Sequence, residues 1–235
     1  MEEDSESIAG RVRGVLDRIA QAAVRTHRAP ESVRLVVASK TVSMERLREA
    51  FDAGVRHFGE NRLQEALPKI DGLDRTGAIW HFIGTLQRRK VKSVVGRFDT
   101  IHSVDSLPLA EEIDRRAAEA GLRQRVLLEV NVGEEASKGG FAPSELPGAL
   151  PVIDRLTHLD VRGLMAIPPP TPTPEAARPY FRQLRELGQS LTGLGCRNIN
   201  MVELSMGMSQ DYEVAVEEGA TYVRVGTAIF GARRV

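Results

Sequence analysis

Cysteine is nearly absent: Cys196 stands alone among 235 residues. A lone thiol forms neither an intramolecular disulfide nor a multi-thiolate metal site, and sparse cysteine fits a reducing interior such as the cytosol. The chain also lacks an excess of either charge. Lys plus Arg and Asp plus Glu each number 32, for a formal net charge of zero. No global field therefore draws the protein to nucleic acid or to an anionic membrane. No apolar run approaches the length that spans a bilayer. The opening MEEDSES is acidic and polar, which does not fit a secretory or transit signal. A soluble cytoplasmic protein with no nucleic-acid or membrane partner is expected.

What is present is a regular alternation. Ile8, Val12, Val15, Leu16, Ile19 and Ala23 recur at spacings of three and four and predict a helix within the N-terminal segment 1–30. From 35 to 231, short apolar runs alternate with longer amphipathic segments. The runs are LVVAS (35–39), HFGEN (57–61), IWHFIG (79–84) and TIHSVD (100–105), followed by VLLEVNV (126–132), VRGLMAI (161–167), INMVELSM (199–206) and YVRVGT (222–227). Helix signals stand between them. Ser43 caps a segment from Met44 to about Ala53, Pro108 sits in the first turn of one ending near Gly121, and Ser209 precedes Asp211 and Glu213. Ala177, Phe181, Leu184, Leu187 and Leu191 form a further stripe. Eight strands separated by crossovers predict a closed (β/α)8 TIM barrel in a single domain, with an extra N-terminal helix. An open doubly wound sheet shares the alternation, but no glycine fingerprint follows the first strand. The stretch PPPTPTPEAARP (168–179) reads as a long rim loop after the sixth strand.

In such a barrel, loops leaving the C-terminal strand ends build the site. RLVVASKT poses the sharpest question, because a strand buried on both faces runs into an ammonium, Lys40. Asn61 ends the second strand, Ser205 the seventh and Thr227 the eighth. His81 shares a face with Ile83, and Glu129 shares one with Asn131; inward polar groups need partners. Each has a plain alternative. Lys40 and Lys138 read as solvated loop residues, His81 as a hydrogen-bonded core imidazole, and Glu129 as half of a buried salt bridge. Met165, Met206 and Met208 read as core fillers, and LQRRKVK (86–92) as a solvated helix face.

The C-terminal segment adds a second signal. Ser205, Gly207 and Ser209 precede a helix, and Gly226-Thr227 ends the last strand and opens another helical turn. Backbone N–H groups and hydroxyls converge at such places and suit a phosphate, in the two loops where barrels commonly hold one. Arg224 lies on the intervening strand. Closure of the barrel would bring Lys40 beside this cradle. An amine next to a phosphate site suits pyridoxal 5′-phosphate (PLP), and it equally suits a Schiff-base aldolase acting on a sugar phosphate.

Further motifs are VASKT around Lys40, HFGENRLQEALPK from His57, WHFIGTLQRRK from Trp80, SKGGF, GLMAI from Gly163, and LSMGMSQDYEVAVEEGATYVRVGTAIFG. Through these blocks the sequence resembles the YggS/PROSC-type pyridoxal phosphate homeostasis proteins over essentially its full length. One departure is Arg89, where that family more usually has asparagine before lysine.

The resemblance implies a barrel similar to the N-terminal domain of alanine racemases, with PLP joined to Lys40 as an internal aldimine. It implies that Ser205, Gly226 and Thr227 hold the phosphate, with Gly207 in the same loop. It places Arg224 near the pyridine nitrogen, and Asn61, Met165 and, at second rank, His81 around the ring. A guanidinium does not readily give up a proton, so the neighbouring pyridine would stay neutral and serve poorly as an electron sink. Alanine racemases take a second base, a tyrosine, from an added β domain. This chain ends at Val235, just after the eighth strand, and Tyr180, Tyr212 and Tyr222 lie in predicted helices or a strand. The expectation is a monomeric PLP carrier in vitamin B6 homeostasis, without catalytic turnover and with apo-PLP enzymes as recipients. A fold-type III racemase or decarboxylase is the alternative. Lys138 would accept or pass on the cofactor if its loop folds over the mouth.

Overall fold

The apolar run after Val33 forms β1 (Arg34–Ala38), in which Val36 and Val37 are wholly buried because strands flank it on both edges. The computed structural model describes residues 7–73, 77–135, 138–192 and 195–231. Seven strands follow: β2 (His57–Glu60), β3 (Ile79–Phe82), β4 (Thr100–Val104), β5 (Gln124–Glu129), β6 (Leu159–Met165), β7 (Ile199–Met208) and β8 (Tyr222–Val225). They pair in parallel in chain order, and β8 returns to β1 to close the barrel. All the predicted strands are present. Most end one to three residues earlier than the runs read from the sequence, because the backbone leaves the ladder at the mouth before the run is complete; β7 instead extends to Met208.

The helices are α1 (Ile8–Arg25), α2 (Met44–Asp52), α3 (Leu63–Gly72), α4 (Leu107–Glu119), α5 (Leu146–Ile153), α6 (Arg178–Leu191), α7 (Tyr212–Glu217) and α8 (Thr227–Phe230). Ser7 caps α1 by accepting the Gly10 N–H at 3.0 Å. Ile8, Val12, Val15, Ile19, Ala22 and Ala23 are buried as α1 packs against α2, α7 and α8. Leu16, expected on that stripe, is 42% exposed, so the packed face is narrower than the periodicity suggests. Residues 1–6 of the expected N-terminal segment, Ser137 of SKGGF and the chain end at Val235 lie outside the described residues. Arg28, just past α1, donates to the carbonyls of Val216 and Ala220, both at 2.8 Å, and ties the first helix to the last strand's crossover. The stretch Arg88–Ser93 is a 3₁₀ turn rather than an α-helix; Val91 is buried, while Arg88, Arg89 and Lys92 are exposed as expected. Only the first part of the proline-rich segment is loop; it passes into a 3₁₀ turn at Pro174–Ala177 and then α6.

Two apolar clusters result. The larger lies between strands and helices; the smaller, inside the barrel, holds only Val36, Leu127, Met165 and Tyr222. Barrel interiors are ordinarily filled by layers of bulky branched residues. Here His81, His102, Ser205 and Arg224 occupy buried inward positions instead.

Gly163 lies where the β6–β7 register shifts. A Cβ there would sit 1.8 Å from the Glu203 carbonyl oxygen, a contact no rotamer relieves. Gly163→Ala is expected to lower stability by on the order of 3 kcal/mol or more in urea unfolding. Gly148→Ala is the control, on an exposed helical position with open space around it; it should be neutral or stabilising by up to about 1 kcal/mol.

Candidate functional site

Barrel closure sets the geometry of the mouth. Val36 pairs with Arg224 and Val37 with Val225, so the turns after β1 and β8 emerge side by side. Between them and the loops after β2, β6 and β7 lies a cavity of about 1020 Å³. Its wall includes Lys40, Asn61, Ser209, Arg224, Gly226 and Thr227, with Ile83, Ile167 and Met208 as apolar lining. Lys40, Asn61, Arg224, Gly226 and Thr227 are thus brought together as expected.

Lys40 is held from below. The Ser39 hydroxyl donates to Glu60 Oε1 at 2.6 Å, and Lys69 Nζ donates to the Ser39 carbonyl at 2.6 Å and to Glu60 Oε1 at 2.7 Å. All three residues are buried. Thr41, the next residue, takes a φ of 63°, costly for a β-branched side chain. Its N–H donates to Glu65 Oε2 at 2.9 Å, which helps to hold that turn. The Lys40 ammonium, on the cavity wall, has no hydrogen-bond or ion-pair partner among the described residues.

Ser209, in the loop that the sequence marks as suited to a phosphate, is on the cavity wall. Its Oγ accepts the N–H of Gly226 at 3.1 Å and of Ala228 at 3.4 Å, binding the β7 loop to the start of α8. Asp211 accepts the Met208 N–H at 2.6 Å; burial raises its carboxyl above the ordinary range, partly offset by that bond and by Arg224. Arg224 donates to Ser205 Oγ at 2.5 Å and to the Ala166 carbonyl at 2.9 Å. Burial brings its guanidinium down to about 10, against the opposing pull of Glu129 and Asp211. Glu129 is pushed up to about 7, first by burial and then by Asp105, with Arg224 pulling the other way.

His81, Met165, Ser205 and Gly207 do not line the cavity. Met165 belongs to the inner apolar cluster. Ser205 lies beneath Arg224, and His81 lies deeper, between His57 and His102. Gly207 has a φ of 89°, and a Cβ there would come within 2.5 Å of Ala215 Cβ, so its glycine serves packing of β7 on α7. Lys138 is also off the wall: its ammonium pairs with Glu135 at 2.5 Å and bonds the Pro168 carbonyl at 3.3 Å.

With that geometry in place, relatives are informative. The family model described as alanine racemase, N-terminal domain, matches residues 16–234. The pyridoxal phosphate homeostasis protein of Aquifex aeolicus is 47% identical over 224 residues, covering 95% of this chain and 97% of its own. The chain belongs to the pyridoxal phosphate homeostasis family. A Pseudomonas aeruginosa member of the same name is 45% identical over 228 residues, covering 97% of this chain and 96% of its own. PipY of Synechococcus elongatus, solved with PLP bound, is 40% identical with a TM-score of 0.80, covering 92% of this chain and 100% of that one. Arg89, at which this homeostasis-family sequence departs from the usual motif, is exposed and donates to Gln87 Oε1 at 3.0 Å, away from the cavity wall.

Two outcomes follow. Lys69→Met removes the partner of the wholly buried Glu60 carboxylate and should cost about 3–5 kcal/mol in urea unfolding. Adding Glu60→Gln should recover part of that loss. Second, burial, then His57, Arg34 and Arg125, hold the His81 imidazole down at about 3 against an ordinary 6.5. Burial first, then its neighbours, holds His102 well below 6.5 too. The unfolded chain therefore binds more protons as pH drops below 6.5. These two groups should remove stability between about pH 6.5 and the folded values, at up to about 1.4 kcal/mol per pH unit each. Urea midpoints measured from pH 7 to pH 4 check this, and their slope should shrink in His81→Leu.

Proposed function

We propose that this protein binds PLP as a Schiff base on Lys40 and acts in vitamin B6 homeostasis as a carrier, without catalytic turnover. The observation that carries the reading is Lys40, an amine with no ionic partner among the described residues, on the wall of a cavity that also holds Arg224, Gly226 and Thr227. PLP bound in PipY, at 40% identity over nearly the whole of both chains, supports the same assignment. The residues present fit the group. Ser209 and Thr227 supply hydroxyls and Gly226 a close backbone for a phosphate ester, Asn61 an amide, and Arg224 a fixed cation.

When bound, PLP supplies an aldehyde that condenses with amines and an anionic anchor. Lys40 supplies the nitrogen, and the condensation releases one water. Arg224 contributes a guanidinium that keeps its proton at neutral pH, so its side of the site offers a donor rather than an acid. Among the described cavity-lining residues there is no tyrosine, histidine or cysteine, and the carboxylate there, Asp211, is tied to the Met208 N–H. That lining supports holding and release more than proton transfer at a substrate carbon. The carrier is read as a monomer that hands PLP to apo-enzymes.

The test is reduction of PLP-loaded protein with borohydride, peptide mass mapping, and then transfer of PLP from unreduced protein to an apo-enzyme. The added mass should appear on Lys40 and vanish in Lys40→Ala. Transfer should proceed with no exchange of amino-acid α-hydrogens in deuterated water. Mass on another residue, or none, would overturn the assignment. Steady α-hydrogen exchange would favour the racemase or decarboxylase reading instead.

A further inference from the structure

We propose that His102 and His81 are positioning residues for the cofactor: a polarised hydrogen-bond chain running from Arg224 through Ser205, His102 and His81 to His57 locks the guanidinium toward bound PLP. The inference rests on the PLP reading above.

The chain is continuous. Arg224 Nη1 meets Ser205 Oγ at 2.5 Å, Ser205 Oγ meets His102 Nδ1 at 2.8 Å, His102 Nε2 meets His81 Nδ1 at 3.0 Å, and His81 Nε2 meets His57 Nδ1 at 2.9 Å. Ser205, His81 and His102 are 0% exposed, and His57 is half-buried at the start of β2. The Tyr222 ring lies edge-on to all three imidazoles, with centroids 5.4 to 6.4 Å away. Its hydroxyl is occupied with Arg34 at 2.8 Å and Glu203 at 3.2 Å.

Arg224 can only donate, and this fixes the direction of every later bond. Ser205 Oγ accepts from Arg224, so its own proton goes to its other partner among the described residues, His102 Nδ1. His102 Nδ1 is then an acceptor and its proton sits on Nε2. It donates to His81 Nδ1, and His81 in turn donates from Nε2 to His57 Nδ1. The opposite polarity would make Ser205 accept twice and leave its proton with no acceptor. Burial and the nearby cations Arg34, Arg125 and Arg224 keep the imidazoles neutral, as one proton per ring-to-ring contact requires. Asp99 opposes this at His57.

Aliphatic side chains would fill this space without desolvating polar groups. What the imidazoles add is a serine hydroxyl whose proton is committed to His102, so that toward Arg224 its oxygen can only accept, held in one place. Together with the Ala166 carbonyl it takes one N–H from each terminal nitrogen of Arg224 and sets the plane of the guanidinium. The rest of its donors remain for the cavity.

The first measurement needs no variant. Nitrogen NMR of histidine-labelled wild-type protein at pH 7 should show His57, His81 and His102 neutral with the proton on Nε2. Loading PLP should shift the His102 and His81 signals although neither residue lines the cavity. A proton on Nδ1, averaging between tautomers, or signals blind to PLP would overturn the proposal. The second measurement uses His102→Leu, which should still gain the reduced-PLP mass on Lys40. Its visible absorption maximum should move and its Kd for PLP should rise about tenfold. His102→Asn, which keeps an acceptor for Ser205, should recover most of that affinity. A wild-type spectrum and Kd in His102→Leu would refute the positioning role. Should wild-type protein take no mass on Lys40, the PLP reading fails first, and the tautomers of the PLP-free protein still decide whether the chain exists. If His102→Leu does not fold, the wild-type tautomers and their response to PLP decide alone.

Discussion

The site depends on one pairing, the ladder between the first strand and the last. Val36 opposite Arg224 and Val37 opposite Val225 bring an amine-bearing turn and a glycine-threonine turn to the same rim. Neither turn makes a pocket by itself. A one-residue slip would carry Arg224 to the outer face, since side chains alternate along a strand. The inward side of this ladder, where Val36 joins Leu127, Met165 and Tyr222, is also where apolar contact specifies the register.

Around that ladder the protein spends stability on polar groups in places where aliphatic ones would serve the fold. Glu60 and Lys69 form a buried ion pair whose Coulomb gain is offset by desolvation of both charges. Its benefit is positional: with Ser39 it fixes the carbonyl immediately before Lys40. Thr41 adds backbone strain on the other side of the lysine. Below the cavity, neutral imidazoles stand where branched side chains are customary. All these costs fall within a few residues of the cavity or beneath it, while the outer helix-strand layers are conventionally apolar.

How much of this was legible in the sequence differs by element. The strands were readable because parallel strands buried on both faces leave continuous apolar runs. Their ends were not, since the mouth is partly lined by residues such as Ile83 and Ile167 that prolong those runs. Leu16 kept the helical spacing of its neighbours yet faces solvent, as periodicity gives a stripe but not its width. Lys40, Asn61, Arg224, Gly226 and Thr227 share one cavity wall because strand ends converge at one rim. Ser205 and His81 lie a layer below that wall, a depth that is invisible in a linear pattern. Lys69 lies on α3, nine residues past Glu60, and nothing local in the sequence marks it as the partner of that carboxylate. His57, His81 and His102 did carry a signal: one inward imidazole on each of three successive strands.

The helix α1 also has a consequence for biosynthesis. Arg11 on α1 is part of the cavity wall, and Arg28 is anchored to carbonyls 188 and 192 residues further on. Contacts so distant in sequence cannot form while the C-terminal strand is still inside the ribosome. The cavity wall is therefore unfinished until the last strand has emerged and closed the barrel. A ligand of this cavity would accordingly engage only molecules whose first and last strands have paired, and would shift the population toward them.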